Sequence, residues 1–254
     1  NNTAVGKSAL KVFTGSNATA VGSGAADAAG SQTDLTAVGF NALGAATSGN
    51  SNTAVGSYCL DGTIDGASTS AFGYAALSAD CVHDNVAVGK EALLAFTGSN
   101  ATAIGSGAAD VAGSQSGLTA VGKDALGAAT SGHYNTAVGA ASLGTVDGAQ
   151  NTGVGYGALN ADCVSDNTAV GMGALNVFVG SNATAVGKGA ADAATSASQL
   201  VAVGKDAAGV ITSATDVTAI GYQALKAVTT TALGGYCTAV GSYAGLNNIR
   251  GSNT

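Results

Sequence analysis

A glycine preceded by a small residue and an apolar one returns at every sixteenth or seventeenth position along this chain, with one longer interval at the end. Its fifteen copies are Gly6, Gly22, Gly39, Gly56, Gly73, Gly89, Gly105, Gly122, Gly139, Gly155, Gly171, Gly187, Gly204, Gly221 and Gly241. Two residues before it stands Ala in fourteen copies, with Gly153 the exception, and immediately before it stands Val, Ile or, once, Phe72. Three before it is Thr in twelve copies, replaced by Ser70, Val86 and Val201. Units this alike cannot each hold a core of their own, so they must stack on one another.

The Thr-Ala-Val triplet reads as a three-residue strand whose first and third side chains share one face while Ala takes the other. A second apolar pair, usually Ala-Leu, follows three and four residues after the glycine, as at Ala42-Leu43 and Ala125-Leu126. Gly, Ser, Asn, Thr and Asp fill the rest, which is turn chemistry. So short a unit has no room for a strand plus a helix and suits one coil of a solenoid, with two short strands and two turns. An Ala-rich helical array is disfavoured, because a β-branched triplet followed by Gly recurs in every unit. The prediction is an all-β fold: a parallel β-solenoid, or β-roll, of about fifteen 16–17-residue coils. At about 4.8 Å per coil it would form a rod roughly 70 Å long. One such coil encloses little apolar volume, so a homotrimer is expected, with Val and Leu filling each coil and the small columns meeting between chains.

A longer period lies above the coil. TGSNATAVGS at 14–23 returns five coils later as TGSNATAIGS at 97–106, and five coils later again as VGSNATAVGK at 179–188. Phe13, Phe96 and Phe178 keep the same register, and ADCVHDN at 79–85 matches ADCVSDN at 161–167. Duplication of a five-coil block accounts for these strings without a site used three times. Residues 1–254 read as one solenoid domain, beginning NNTAVG and ending GSNT within the pattern, as a segment of a longer array would.

Composition narrows the function classes. With a net charge of −7 and only eight Lys plus Arg, the chain lacks the basic stripe that a nucleic-acid partner requires. No apolar run approaches the length of a membrane span, so membrane insertion of this segment is not expected. Charged residues are 9%, against about 25% in an average domain, which leaves few groups for acid–base chemistry.

The columns also weaken individual candidates. Cys59 stands in the Ala-Leu pair and Cys237 where six other coils have Asn; Cys81 and Cys163 take a position held elsewhere by Thr14, Thr97, Thr130 and Val179. Buried structural thiols are the preferred reading, with a Cys59–Cys81 disulfide the alternative. His83 and His133 share no column and read as solvated loop residues. Asp80 and Asp84, matched by Asp162 and Asp166, read as turn residues, since no calcium-loop pattern accompanies them. Asn17, Asn100 and Asn182 begin N-A-T sequons that would carry glycans in a eukaryotic secretory setting, although a turn Asn before the strand Thr explains them equally. No catalytic, cofactor or metal constellation survives the alignment, and the chain is not expected to be an enzyme or to hold a cofactor. Tyr58, Tyr74, Tyr156, Tyr222 and Tyr243, one or two residues after the glycine, are candidates for exposed binding contacts or for corner packing.

The repeated N-T-A-V-G-x-x-A-L, seen as NTAVGSYCL at 52–60 and NTAVGMGAL at 167–175, resembles the head repeats of trimeric autotransporter adhesins. It is more similar still to the TAVG-x-x-AL arrays of phage and environmental-bacterial fibre proteins. The resemblance spans the chain and implies a homotrimeric, extracellular structural fibre, on a virion as a tail fibre or on a cell surface as an adhesin. Its implied partner is a cell-surface glycan or a protein receptor. Two other classes remain: an ice-binding β-solenoid using the Thr column, and a polysaccharide-degrading tailspike, which would need clustered carboxylates and aromatic platforms.

Overall fold

The structure, a computed structural model, describes residues 1–28, 30–45, 48–62, 66–211, 215–227 and 236–246. They fall in two compact units, Asn1–Ser131 and Gly132–Thr254, and each is a parallel β-solenoid. The first carries β1 (Thr3–Val5), β2 (Thr19–Val21), β3 (Thr36–Val38), β4 (Thr53–Val55), β5 (Ser70–Phe72), β6 (Val86–Val88), β7 (Thr102–Ile104) and β8 (Thr119–Val121). The second carries β9 (Thr136–Val138), β10 (Thr152–Val154), β11 (Thr168–Val170), β12 (Thr184–Val186), β13 (Ser198–Val203), β14 (Thr215–Ile220) and β15 (Cys237–Val240). Within each unit every strand pairs in parallel with its neighbours in sequence, and like columns meet: Thr3 with Thr19, Ala4 with Ala20, Val5 with Val21; Thr168 with Thr184 and Val170 with Val186.

The strand parity is as expected, but its inside and outside are reversed. Ala20, Ala37, Ala54, Ala103 and Ala120 in the first unit and Ala137, Ala169 and Ala185 in the second are fully buried. The third strand residue instead faces out, with Val21 38%, Ile104 42%, Val170 37% and Val186 38% exposed. Coil thickness explains the reversal. Leu side chains cross the narrow interior, and a Cβ added to Gly153, the one glycine in the Ala column, would meet Leu143 Cδ1 and Ser142 Oγ. Only a methyl or less fits between strand and leucine, so Ala points inward and Val is left outside.

A second correction concerns the Ala-Leu segment, which forms a tight turn rather than a second strand. Its leucines adopt the left-handed region: Leu43, Leu60, Leu93, Leu126, Leu143 and Leu175 have φ of 48–53°. That conformation costs a residue with a Cβ about 1–2 kcal/mol. Two gains offset it. Each of these leucines is fully buried, which contributes about 1.5–3 kcal/mol. The backbone N–H of Leu43, Leu60, Leu93, Leu143 and Leu175 also reaches across to a neighbouring coil, as Leu43 N does to Cys59 O (2.9 Å) and Leu143 N to Ala158 O (2.9 Å).

Buried polar side chains tie the turn before several of the strands, Asn52, Asn85, Asn135, Asn151 and Asn167 among them. Asn151 donates through Nδ2 to Val164 O (3.0 Å) while its Oδ1 accepts from Asn167 N (3.0 Å). Asn167 repeats the pattern with Gly180 O (3.0 Å) and Ala183 N (2.9 Å). In the first unit Asn52 reaches Gly66 O (2.6 Å) and Thr69 N (3.0 Å). Where Leu118 replaces the asparagine, Gln115 substitutes in part, its Nε2 donating to Ala129 O (3.2 Å).

The thrice-written GSNAT string has a packing cause. A Cβ on Gly98 would meet the Phe96 ring and the Gln115 carbonyl, and Gly15 and Gly180 stand in the same relation to Phe13 and Phe178. Phe96 and Phe178 are fully buried, so a bulky ring and the glycine that admits it recur together.

Candidate functional site: the ridge beside the corner glycines

At most corner glycines, from Gly6 to Gly105 in the first unit and from Gly139 to Gly221 in the second, the coils approach through their backbones, and the next one or two side chains project outward as a ridge. The second of these residues has a left-handed backbone, as at Tyr58 (φ 56°), Asp124 (φ 53°) and Tyr243 (φ 58°). Its N–H bonds to the preceding coil: Tyr58 N to Phe40 O (2.9 Å), Glu91 N to Tyr74 O (2.9 Å) and Tyr243 N to Tyr222 O (2.8 Å). Every ridge side chain therefore leaves a fixed backbone.

In the first unit the ridge gathers Phe40, Tyr58 and Tyr74, which are 46%, 37% and 50% exposed. Ring centroids lie 5.3 Å apart for Phe40–Tyr58 and 6.1 Å for Tyr58–Tyr74, with planes crossed at 78° and 80°. Chain position explains the crossing. Phe40 and Tyr74 directly follow Gly39 and Gly73, whereas Tyr58 stands one residue later and leaves its coil from the left-handed position. Phe40 was not among the expected contacts, although its place directly after Gly39 is the same as that of Tyr74.

The ridge of the second unit differs. Tyr222 and Tyr243 form a crossed pair at 5.1 Å and 88°, and Lys205 Nζ lies 5.5 Å from the Tyr222 ring centroid. Asp206 beside them takes Lys226 Nζ at 3.3 Å and Gln223 Nε2 at 3.3 Å. Partial burial works against ionisation of Asp206, yet the bonds from Gln223 and Lys226 and the charge of Lys205 hold its carboxyl below the usual range. Tyr156 is 66% exposed and meets no other aromatic ring among the described residues. The ridge also carries lysines: Lys7, Lys90 and Lys123 in the first unit, Lys188 and Lys205 in the second.

Other candidates resolve singly. Cys59, Cys81, Cys163 and Cys237 are buried and form no disulfide, so no bridge joins Cys59 to Cys81. Cys59 Sγ donates to Ala71 O (3.2 Å), and burial pushes its pKa up to about 12 and that of Cys163 to about 11. His83 is exposed and accepts from Ala67 N through Nδ1 (3.0 Å). Asn17, Asn100 and Asn182 are exposed left-handed turn residues with φ of 56–59°. Asn17 Nδ2 donates to Asp34 (3.0 Å), and those of Asn100 and Asn182 to the preceding serines (3.1 Å each).

Among the described residues no three His, Cys, Asp or Glu side chains converge as a metal site, and no helix is long and apolar enough to cross a membrane. A shallow depression of about 210 Å³ lies between Met172, Lys188, Asp192 and Asp206, below the ~300–1,000 Å³ of ordinary small-molecule pockets. That depression suits contact along a surface better than enclosure of a ligand. No protein-family model matches the chain, and no curated protein matches it.

Proposed function

We propose that this chain is a non-enzymatic segment of an extracellular fibre, on a virion or a cell surface, that self-associates as a homotrimer and presents the ridge as a binding surface. The observation that carries the reading is the outward Val column. Val21, Val88, Ile104, Val170 and Val186 are 36–42% exposed in an unbroken, charge-free ladder within each unit. Repeated apolar exposure of this kind marks an interaction face. The role assigned to the small columns between chains passes to this Thr and Val face, because Ala lies inside. Averaged electron micrographs of the purified chain are expected to show a three-fold cross-section; a single coil in cross-section would overturn the trimer.

One observation favours a second reading. The Thr column faces out beside Val, so hydroxyl and methyl groups repeat at the strand spacing of about 4.8 Å, an arrangement suited to ordering water at an ice surface. Thermal-hysteresis measurement decides it, and absence of activity removes it.

A further inference from the structure

The geometry points to a strip on the first unit, built from Phe40, Ser57, Tyr58 and Tyr74, that binds a neutral, extended glycan along the stacking direction of the coils. This rests on reading the ridge as a contact surface and names its ligand class. Phe40, Ser57 and Tyr74 each directly follow the corner glycine in three successive coils. They therefore make a column of ring, hydroxyl and ring, with the two rings two coils apart, about 9.6 Å at the strand spacing. One coil rise is close to the length that one pyranose adds to an extended chain. In a β-linked chain with two-fold screw symmetry, alternate sugars turn over and the same face returns every second residue. Two ring platforms at two-coil spacing match that return, and half-buried Ser57 stands between them as a hydroxyl partner. Tyr58, crossed at about 80° to both neighbours and 5.3 and 6.1 Å from them, stands between the two rings and brings a phenol hydroxyl.

Charge selects the class of glycan. From the second to the fifth coil the ridge reads Ser23, Gly24, Phe40, Asn41, Ser57, Tyr58, Tyr74 and Ala75, without a charged residue. Asp27 and Asp61 lie on the following turn of the same coils, close enough for Asp27 to reinforce the effect of burial in raising the Asp61 carboxyl above its usual range. That turn repels a uronate or sialylated chain. The Tyr222–Tyr243 pair lacks this character, because Lys205 lies over the Tyr222 ring.

Size argues against a protein partner here. Three aromatic side chains of about 200 Å² each, exposed by a third to a half, offer roughly 250 Å², against about 800 Å² per partner in a stable protein interface. An oligosaccharide held by two or three stacked rings needs no more.

The test is calorimetric titration of the intact chain with cellohexaose as the neutral probe and an oligogalacturonate of equal length as the acidic one. Cellohexaose is expected to bind, and oligogalacturonate to bind at least tenfold more weakly. Phe40→Ala and Tyr74→Ala are each expected to weaken cellohexaose at least tenfold, and Tyr156→Ala to leave it unchanged. Unaltered circular-dichroism melts would show that the variants fold. No binding of cellohexaose, equal binding of both probes, or binding indifferent to Phe40 and Tyr74 overturns the proposal. Sedimentation of the same samples separates the two readings: a trimer that ignores the sugar loses only the glycan strip, whereas a monomer loses the fibre.

Discussion

The carbonyl oxygen of Gly122 would clash with a Cβ on Gly105, and Gly105 itself sits at φ 140°. Two independent demands thus fall on one column, an unusual backbone and a backbone-to-backbone approach. Gly105→Ala is expected to destabilise the chain by more than about 2 kcal/mol. Gly173→Ala, where φ is +65° and no atom lies within 4 Å of the new Cβ, should cost only about 1 kcal/mol. Urea midpoints of the two variants check the difference.

Leu143 and Val138 should respond oppositely to what a count of apolar residues suggests. Leu143 is fully buried and Val138 is 36% exposed. Leu143→Ala is expected to cost about 2–5 kcal/mol, and Val138→Ala less than about 1 kcal/mol in the isolated chain. Chemical denaturation at low protein concentration measures both.

Strand parity in the sequence placed Thr and Val on one face and Ala on the other, but parity cannot say which face is interior. Apolar bulk suggested Val, and the narrowness of a coil crossed by leucine decided for Ala. The period, the parallel stacking and the corner glycines were legible because each recurs in nearly every copy. The left-handed leucines were not, since Leu gives no local signal for positive φ and adopts it here only because burial offsets the strain. On the ridge the place of the tyrosines beside the corner glycines was legible, but exposed contact and corner packing could not be told apart. The grouping of Phe40 with Tyr58 and Tyr74 was not, because it depends on which of two successive ridge positions each ring occupies.

Asp192 and Asp206 should carry pH dependences of opposite sign. Burial first, and then the charge of Asp206, raise the Asp192 carboxyl above its usual range. A raised carboxyl contributes stability below its unfolded pKa and loses it as pH rises through the folded one. Asp192→Asn should therefore stabilise the chain slightly at pH 7. Asp206 is held below its usual range, so its contribution is present above the unfolded pKa and is lost as pH falls through the folded one. Asp206→Asn should destabilise at pH 7, with the difference from wild type vanishing in acid. Thermal melts between pH 3 and pH 7 test both, and each effect should stay below about 1 kcal/mol.

Cys59 should be inert while the chain is folded. Its thiol is buried, bonded to Ala71 O and pushed up to about 12, whereas the reactive species is the thiolate. Labelling with a thiol-specific disulfide reagent at pH 8 is expected to modify Cys59 only at the rate of unfolding. Prompt labelling of the native protein would show that the interior opens there.

The claim on which the functional reading depends is that the outward Val column is a self-association face. Sedimentation equilibrium of the wild type and of Val170→Lys tests it most directly. The wild type is predicted at three times the chain mass of 23.8 kDa and the folded lysine variant at one. A wild type that remains monomeric at all concentrations, or a lysine variant that still forms the trimer, would contradict it.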